Sequence, residues 1–409
     1  MLRPLALSIA LGLLTLTWRA IFDKIIAARG GAELVATWAQ LQSIADLVVG
    51  VVSAGVAPGV AVLVAQAATN AERRAILRQG LAMSAVLAGV ALAVIVIALV
   101  MSLPILTFNA SATLAVAAGL MGFISVAPTV VGSYWTGRER RDLLAVWGLA
   151  VGAVTVGVAW AAPQSVLMFA LVIGSTLPAL VLGAGVLLWL HRTPHEAAVD
   201  HRRALAHFIA PSVAIGILSP LALIATRSIT AEVMSVADVG VMQAIWRSAE
   251  WMTHLAGAVL ALYFFPKLSA AADRAAFGRV LRRALLVVLV PTAIGFMLLG
   301  WYQRAVLASL YDASFVASDR AVAYFYLAEW LRIASWLFLY ALYALRATLA
   351  VAIGEVLSLP LFAVLVYFFR DALNLEIAGL LYLSAFSAYL GFNYLVVASR
   401  RRQPTRSVT

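Results

Sequence analysis

Four residues in one stretch could do chemistry inside a membrane. Gln243, Arg247, Glu250 and His254 lie in the apolar run 239–266. At 100° per residue they fall within a sector of about 60°, which is one face of one helix. The opposite face is Val, Ala, Leu and Phe. Charge at membrane depth is costly and normally meets a partner or a watery cavity, so the spacing predicts a polar path beside this helix. A guanidinium such as that of Arg247 matches phosphate oxygens with two parallel hydrogen bonds, strengthened where the dielectric is low. Glu250 and His254 could exchange a proton or hold a cation.

Other ionisable residues share that depth. Arg19, Asp23 and Lys24 lie in the first apolar run, and Gln42 and Asp46 follow in the second. Arg227, Glu329, Arg332 and Glu355 lie further along. Asp23 is four residues from Arg19, and Glu329 is three from Arg332. That spacing suits ion pairs that only orient helices, so for these pairs structure and function weigh equally. For Lys24 and Glu355, snorkelling to an interface is as ready a reading as function. The cations Arg19, Lys24, Arg227, Arg247 and Arg332 are costly to keep unless something anionic visits. They are the candidates for binding a phosphate-bearing substrate. Glu250, Asp46, His254, Glu329 and Asp23, with Gln42 and Gln243, are the candidates for ion coupling or for the polar wall of a cavity.

Signals for an enzyme are poor. The chain has no Walker lysine motif, no His-Glu-x-x-His and no nucleophile elbow. Gly183-Ala184-Gly185 lacks a third glycine and reads as packing. With 0 cysteines there are no disulfides and no thiolate metal sites. No catalytic residue, metal or cofactor is expected beyond a coupling H⁺ or Na⁺. The net charge of +11 does not point to nucleic acid, because the basic residues sit in short loops between apolar runs.

The elements that must position these residues are membrane helices. The chain has 409 residues, 64% hydrophobic and only 11% charged. A soluble protein of that length needs more surface charge. Apolar runs of about 20 residues recur from end to end. Twelve spans are expected, at 5–28, 32–66, 80–102, 112–135, 144–162, 165–190, 207–232, 239–265, 284–302, 321–345, 349–369 and 377–398. The N-terminal run resembles a signal peptide, but Trp18, Arg19 and Asp23 continue it on helical spacing, so it is expected to stay. Tryptophans and tyrosines such as Trp189, Trp301 and Tyr302 fit interfacial belts. In 303–320, Leu307, Leu310, Tyr311 and Phe315 fit one face of a short interfacial helix.

Loop charges set an orientation. Arg3, Arg73, Arg74, Arg78, Arg138, Arg140, Arg141, Arg192, Arg202, Arg203, Lys267, Arg274, Arg279, Arg282, Arg283, Arg346, Arg400, Arg401, Arg402 and Arg406 fall on one side, 20 of the 29 Lys and Arg. Only Arg29, Arg304, Arg320 and Arg370 fall on the other. The bias puts both termini in the cytoplasm. Residues 191–206 read as a cytoplasmic linker between a six-helix bundle at 1–190 and another at 207–399, with a basic tail at 400–409. A weak repeat supports two halves. An offset of 208 aligns Arg19 with Arg227, Trp38 with Trp246 and Pro58 with Pro266 without a gap. It sets Gln42 opposite Glu250 and Asp46 opposite His254. Parallel repeats of this kind are typical of transporters, with the site at the repeat interface.

Several local patterns resemble the Wzx-type polysaccharide flippases. They are Val239-Gly240-Val241-Met242-Gln243, Tyr263-Phe264-Phe265-Pro266-Lys267-Leu268-Ser269, Glu329-Trp330-Leu331-Arg332, and Ala347-Thr348-Leu349 running on to Gly354-Glu355-Val356. The first half agrees at Gly50-Val51-Val52-Ser53-Ala54-Gly55-Val56 and Gly59-Val60. Within that family the chain looks most like the lipid III flippases of enterobacterial common antigen synthesis. Where the family often has Gly-Asp before a basic residue, this chain has Ala328-Glu329, with Arg332 in a Lys position. The resemblance implies a multidrug/oligosaccharidyl-lipid/polysaccharide exporter fold, all-α and polytopic, with two six-helix bundles around a central cavity. It implies an undecaprenyl-pyrophosphate-linked oligosaccharide as cargo, of the kind used for O-antigen and lipopolysaccharide. It also implies a bacterial inner-membrane monomer that works by alternating access beside the polymerase and chain-length regulator of its pathway. The first rival is a cation-coupled drug antiporter of the same fold, which should prefer acids and aromatics to excess Arg in its cavity. The second is a membrane glycosyltransferase or acyltransferase, which needs catalytic acids beside a sizeable loop.

Overall fold

A computed structural model describes residues 2–101, 108, 110–193, 200–271, 273–345 and 347–402. The side chains of 2–15, 141, 210–215, 262, 266, 348 and 401–402 lie outside the description. Arg3, Arg141, Arg346, Arg401, Arg402 and Arg406 of the charge bias therefore lie outside the described side chains. So do residues 194–199 of the expected linker and residues 403–409 of the tail.

Every regular element among the described residues is helical. Among the described residues nine helices are long and apolar enough to cross a membrane. The first of them holds two expected spans, because Gly31 breaks it with φ 61° and ψ −159°. A positive φ of that kind is open to glycine at little steric cost. Two further rods, Arg202–Val233 and the one beginning at Val236–Val259, carry more polar residues. Together these account for the twelve expected spans among the described residues, and the protein is a multi-pass membrane protein. Short polar side chains start several rods by accepting from an orphan N–H of the first turn. Thr69 accepts from Glu72 N at 3.1 Å, Ser111 from Leu114 N at 3.2 Å, Asp273 from Ala276 N at 2.7 Å and Ser318 from Ala321 N at 3.2 Å.

Prolines shape the rods from within. Three π-helical turns, Val52–Val56, Leu260–Phe264 and Leu285–Leu289, each end two residues before a proline: Pro58, Pro266 and Pro291. Proline offers no N–H, and its ring crowds the carbonyl four residues back, so the helix widens there instead of closing the usual bond. The first two π turns are 208 residues apart, the same offset that aligns Arg19 with Arg227. The third π turn, before Pro291, has no counterpart 208 residues earlier, where Asn70–Val100 is plain α-helix. Pro360 follows a full break, where Ser358 leaves helical geometry between Thr348–Val356 and Leu359–Phe368.

The chain forms two compact units, Leu13–Gly240 and Val241–Thr409 with Met1–Gly12. Contacts thus divide it at Gly240, whereas the repeat divides it at 191–206. In the first unit the rod 32–66 is the axis. Leu41, Ile44, Val48, Val52, Val56, Val60 and Val64 are all 0% exposed, at steps of three or four that make one buried stripe. The Arg202–Val233 helix joins this unit through a glycine contact. A Cβ on Gly50 would stand 2.1 Å from the Gly216 carbonyl oxygen, and one on Gly216 would stand 2.5 Å from Gly50. Gly50→Val is therefore expected to lower stability by about 3 kcal/mol, because backbone cannot yield as a side chain can. Thermal unfolding of the purified variant checks this, and an unchanged midpoint would remove the close approach.

In the second unit Asp319–Ala344 packs along Leu375–Arg402. Phe325, Ile333 and Leu337 are 0% exposed on the first, and Tyr382, Phe386 and Tyr389 are 1% exposed on the second. The helix Gln303–Leu310 forms as expected, but its apolar face is not left to the membrane. Leu307, Tyr311 and Phe315 are buried by protein, and Tyr311 stacks on Phe315 at 5.0 Å. Amphipathic spacing shows that a face is covered, not what covers it.

Candidate functional site

The first unit holds a half-open cavity of about 530 Å³. Arg19, Gln42 and Asp46 line it together, from two successive rods. Three tryptophans complete much of the wall: Trp18 beside Arg19, Trp38 one turn before Gln42, and Trp147 from Arg141–Ala161. Trp38 is 2% exposed and is held by Phe22, with ring centroids 5.5 Å apart. Trp18 lies against Gly152, where a Cβ would meet the indole at 2.5 Å. Ser125, Thr155 and Ser175 add hydroxyls. Asp46 is exposed, while Arg19 and Gln42 are half-buried. Trp18, Trp38 and Trp147 correct the belt reading in part: Trp189, Trp301 and Tyr302 are exposed, whereas these three line a hollow. Trp18 adjoins Arg19 and Trp38 sits one turn before Gln42, and that was the signal available in the sequence.

Other candidates in this unit stand apart. Arg227 is 3% exposed and donates to the Ala39 carbonyl at 3.2 Å and to Ser43 Oγ at 2.7 Å. These bonds tie Arg202–Val233 to the axial rod, next to the bond from Gln40 to Ser228 at 3.3 Å. Asp23 is buried at 5%, and Lys24 is exposed. Neither is among the residues that line the cavity.

The second unit centres on a buried carboxylate. Glu329 is 1% exposed and accepts from Arg332 Nη1 at 3.1 Å, from Thr253 Oγ1 at 2.8 Å and from the Tyr382 hydroxyl. Three rods meet at this one group. Arg332 lies between two rings as well, 5.1 Å from Trp336 and 5.7 Å from Phe386. Glu250 is close enough to act electrostatically on both Arg332 and Tyr382. Two turns beyond Tyr382, the Tyr389 hydroxyl donates to Glu355 Oε1 at 2.7 Å. Asn393, 0% exposed, stands beside it against Gly354. The expected Glu329–Arg332 pair is therefore present, and Glu355 is half-buried and bonded rather than snorkelling.

The stripe Gln243–Arg247–Glu250–His254 does not share one environment. Gln243 and Arg247 are 4% and 3% exposed, Glu250 is half-buried and His254 is exposed. His254 Nδ1 donates to its own helix, to the Glu250 carbonyl at 2.8 Å. A single helix face spans several turns, and neighbouring rods cover it unevenly along its length. Tyr382 and Thr253 escaped the sequence reading because each reaches Glu329 from another rod. A signal was present: Tyr382, Phe386, Tyr389 and Asn393 recur at steps of four, three and four on one face. Among the described residues no group of acids and histidines could hold a metal ion.

No protein-family profile matches this chain, and no curated protein matches it in sequence. Solved structures do match it. An inward-facing multidrug-resistance MATE-family transporter of the MOP superfamily is similar over 96% of this chain and 96% of its own, at 12% identity and a TM-score of 0.71. The lipid II flippase MurJ, in an inward closed conformation, is similar over 97% of this chain and 88% of its own, at 12% identity and a TM-score of 0.73. A MOP-superfamily transporter from Pyrococcus furiosus, described as having a binding pocket of reverse polarity, is similar over 98% of this chain and 97% of its own, at 11% identity and a TM-score of 0.59. The chain thus has the all-helical, multi-pass fold found in MATE transporters and in a lipid II flippase.

Proposed function

We propose that this protein is a flippase. It moves an undecaprenyl-pyrophosphate-linked oligosaccharide, a repeat unit of O-antigen, common antigen or exopolysaccharide, from the cytoplasmic to the outer leaflet of a bacterial inner membrane. The observation that carries this reading is guanidinium kept at membrane depth: Arg19 in a cavity wall and Arg247 buried at 3%. A pocket for lipophilic cations would place no arginine there, because like charge repels the ligand. The fold likeness to a lipid II flippase and to MATE transporters supports transport as the activity. Transport runs by alternating access of two six-helix halves, 1–190 and 207–399, joined by 191–206. Both termini, the basic tail included, are cytoplasmic. The protein acts as a monomer, beside the polymerase and chain-length regulator of its pathway. Arg247 is the first candidate for the pyrophosphate, followed by Arg332, Arg227, Arg19 and Lys24. Glu250, Asp46 and His254 are candidates for coupling to H⁺ or Na⁺, with Glu329 and Asp23 behind them and Gln243 and Gln42 as polar lining.

The test is movement of a lipid-linked oligosaccharide in vesicles, read by its accessibility to periodate from outside. Vesicles holding the protein should outpace empty ones and respond to an imposed gradient of H⁺ or Na⁺. Glu250→Gln should abolish that response while the protein still inserts; a retained response makes Glu250 a structural partner only. Three tryptophans in one cavity wall with Asp46 favour a second reading, a drug antiporter. Gradient-driven ethidium efflux, with no movement of lipid-linked saccharide, would establish it and sink the flippase.

A further inference from the structure

The cavity of the 13–240 unit has a composition that the pyrophosphate alone does not explain. At about 530 Å³ it falls in the size range of small-ligand pockets, about 300–1,000 Å³. Its one guanidinium, Arg19, shares the wall with the carboxylate of Asp46. A site built for a doubly charged anion would not set a carboxylate in the same wall as its cation, since the like charge offsets the attraction. A site for a lipophilic cation would not include the guanidinium. The pair balances to zero and leaves a neutral, strongly hydrogen-bonding wall faced with indoles.

The indoles carry a second observation. Trp18 and Trp147 are half-buried and line the cavity, whereas Trp38 is 2% exposed and packs on Phe22. Indole faces are electron-rich, and the C–H groups along one side of a pyranose are weakly positive, so ring and sugar attract face to face. Arg19, Gln42 and Asp46 provide the planar donors and acceptors that suit pairs of neighbouring sugar hydroxyls.

We infer that this cavity is a saccharide subsite, in which Trp18 and Trp147 stack on a neutral sugar of the cargo and Arg19, Gln42 and Asp46 bind its hydroxyls. The inference rests on the flippase reading and deepens it. It removes Arg19 from the pyrophosphate set and leaves that role to cations outside this cavity. Gly152 is a positioning residue: it lets the Trp18 ring lie against the backbone of its helix.

The test titrates the purified full-length protein with N,N′-diacetylchitobiose, a neutral disaccharide, by calorimetry at millimolar concentration. Saturable binding is expected. Trp147→Leu should weaken it about tenfold, since one stacking face is lost. Trp147 is half-buried, so its variant is expected to fold, and a thermal melt confirms that. Asp46→Asn, at an exposed position, should also weaken binding while keeping the side chain's size. Inorganic pyrophosphate and tetraphenylphosphonium should fail to compete. Three results overturn the inference: no saturable disaccharide binding, Arg19-dependent competition by pyrophosphate, or tetraphenylphosphonium binding that Asp46→Asn abolishes. Movement of lipid-linked saccharide without disaccharide binding sinks the subsite and leaves the flippase standing. Disaccharide binding without such movement does the reverse.

Discussion

Arg332→Leu lowers the stability of the protein by about 3–5 kcal/mol, and adding Glu329→Gln recovers most of the loss. The single change leaves the Glu329 carboxylate, 1% exposed, without its cation. Breaking a buried pair costs that much because the remaining charge stays desolvated and uncompensated. Tyr382 and Thr253 still donate to Glu329, but two neutral hydroxyls do not neutralise a charge. Glutamine removes the charge, keeps one oxygen to accept from one hydroxyl and offers its amide N–H to the other, which turns to accept, so the double variant buries no unpaired ion. Leucine was chosen at 332 because its apolar side chain keeps some packing against Trp336 and Phe386. The measurement is the thermal midpoint of purified single and double variants. If the double variant melts no higher than Arg332→Leu, the arginine acts through its two ring contacts and not through its charge. If Glu329→Gln alone is the more damaging change, the carboxylate is needed for its own sake.

The Glu329–Arg332 pair was legible in the sequence, because spacing of three within one helix is local information. The rest of that cluster was not. Thr253 lies 76 positions from Glu329 in the chain and Tyr382 lies 53 away, and no periodicity within one rod announces a partner on another. Number and type of spans were legible because the hydrocarbon thickness demands long apolar runs whatever they pack against. The repeat was legible from rare residues, and the π turns before Pro58 and Pro266 show why those prolines could mark it: each distorts the backbone in the same way at the same place. Arg227 shows the opposite case. Its alignment with Arg19 is sound as sequence, yet Arg19 lines a hollow while Arg227 ties two helices together through Ala39 and Ser43. Equal positions in a repeat do not fix equal surroundings, because each rod's neighbours differ. The same limit explains His254, which the helix face groups with Arg247 but which the structure leaves exposed.

Arg247 separates a guanidinium that binds cargo from one that only holds helices. It is 3% exposed in a helix where Ala244, Ile245 and Ala249 are 0% exposed, so any substitution risks the packing. Lysine keeps the positive charge but loses the planar fork that grips two phosphate oxygens at once. Arg247→Lys is therefore expected to insert at normal abundance, melt near the wild type and move lipid-linked oligosaccharide more slowly. Arg247→Ala should be slower still. One hydrogen bond to a charged group is worth about 1.5–3 kcal/mol, so the loss in apparent affinity should be roughly ten- to a hundred-fold. A purely structural arginine predicts another pattern: the thermal midpoint falls in step with transport in both variants, and apparent affinity per folded molecule stays constant. The measurement pairs initial rates over a range of lipid-linked saccharide concentrations with the melting temperature of the same preparations. Wild-type rates from Arg247→Ala at normal abundance would take this residue out of the binding site and leave the pyrophosphate to Arg332 and Lys24.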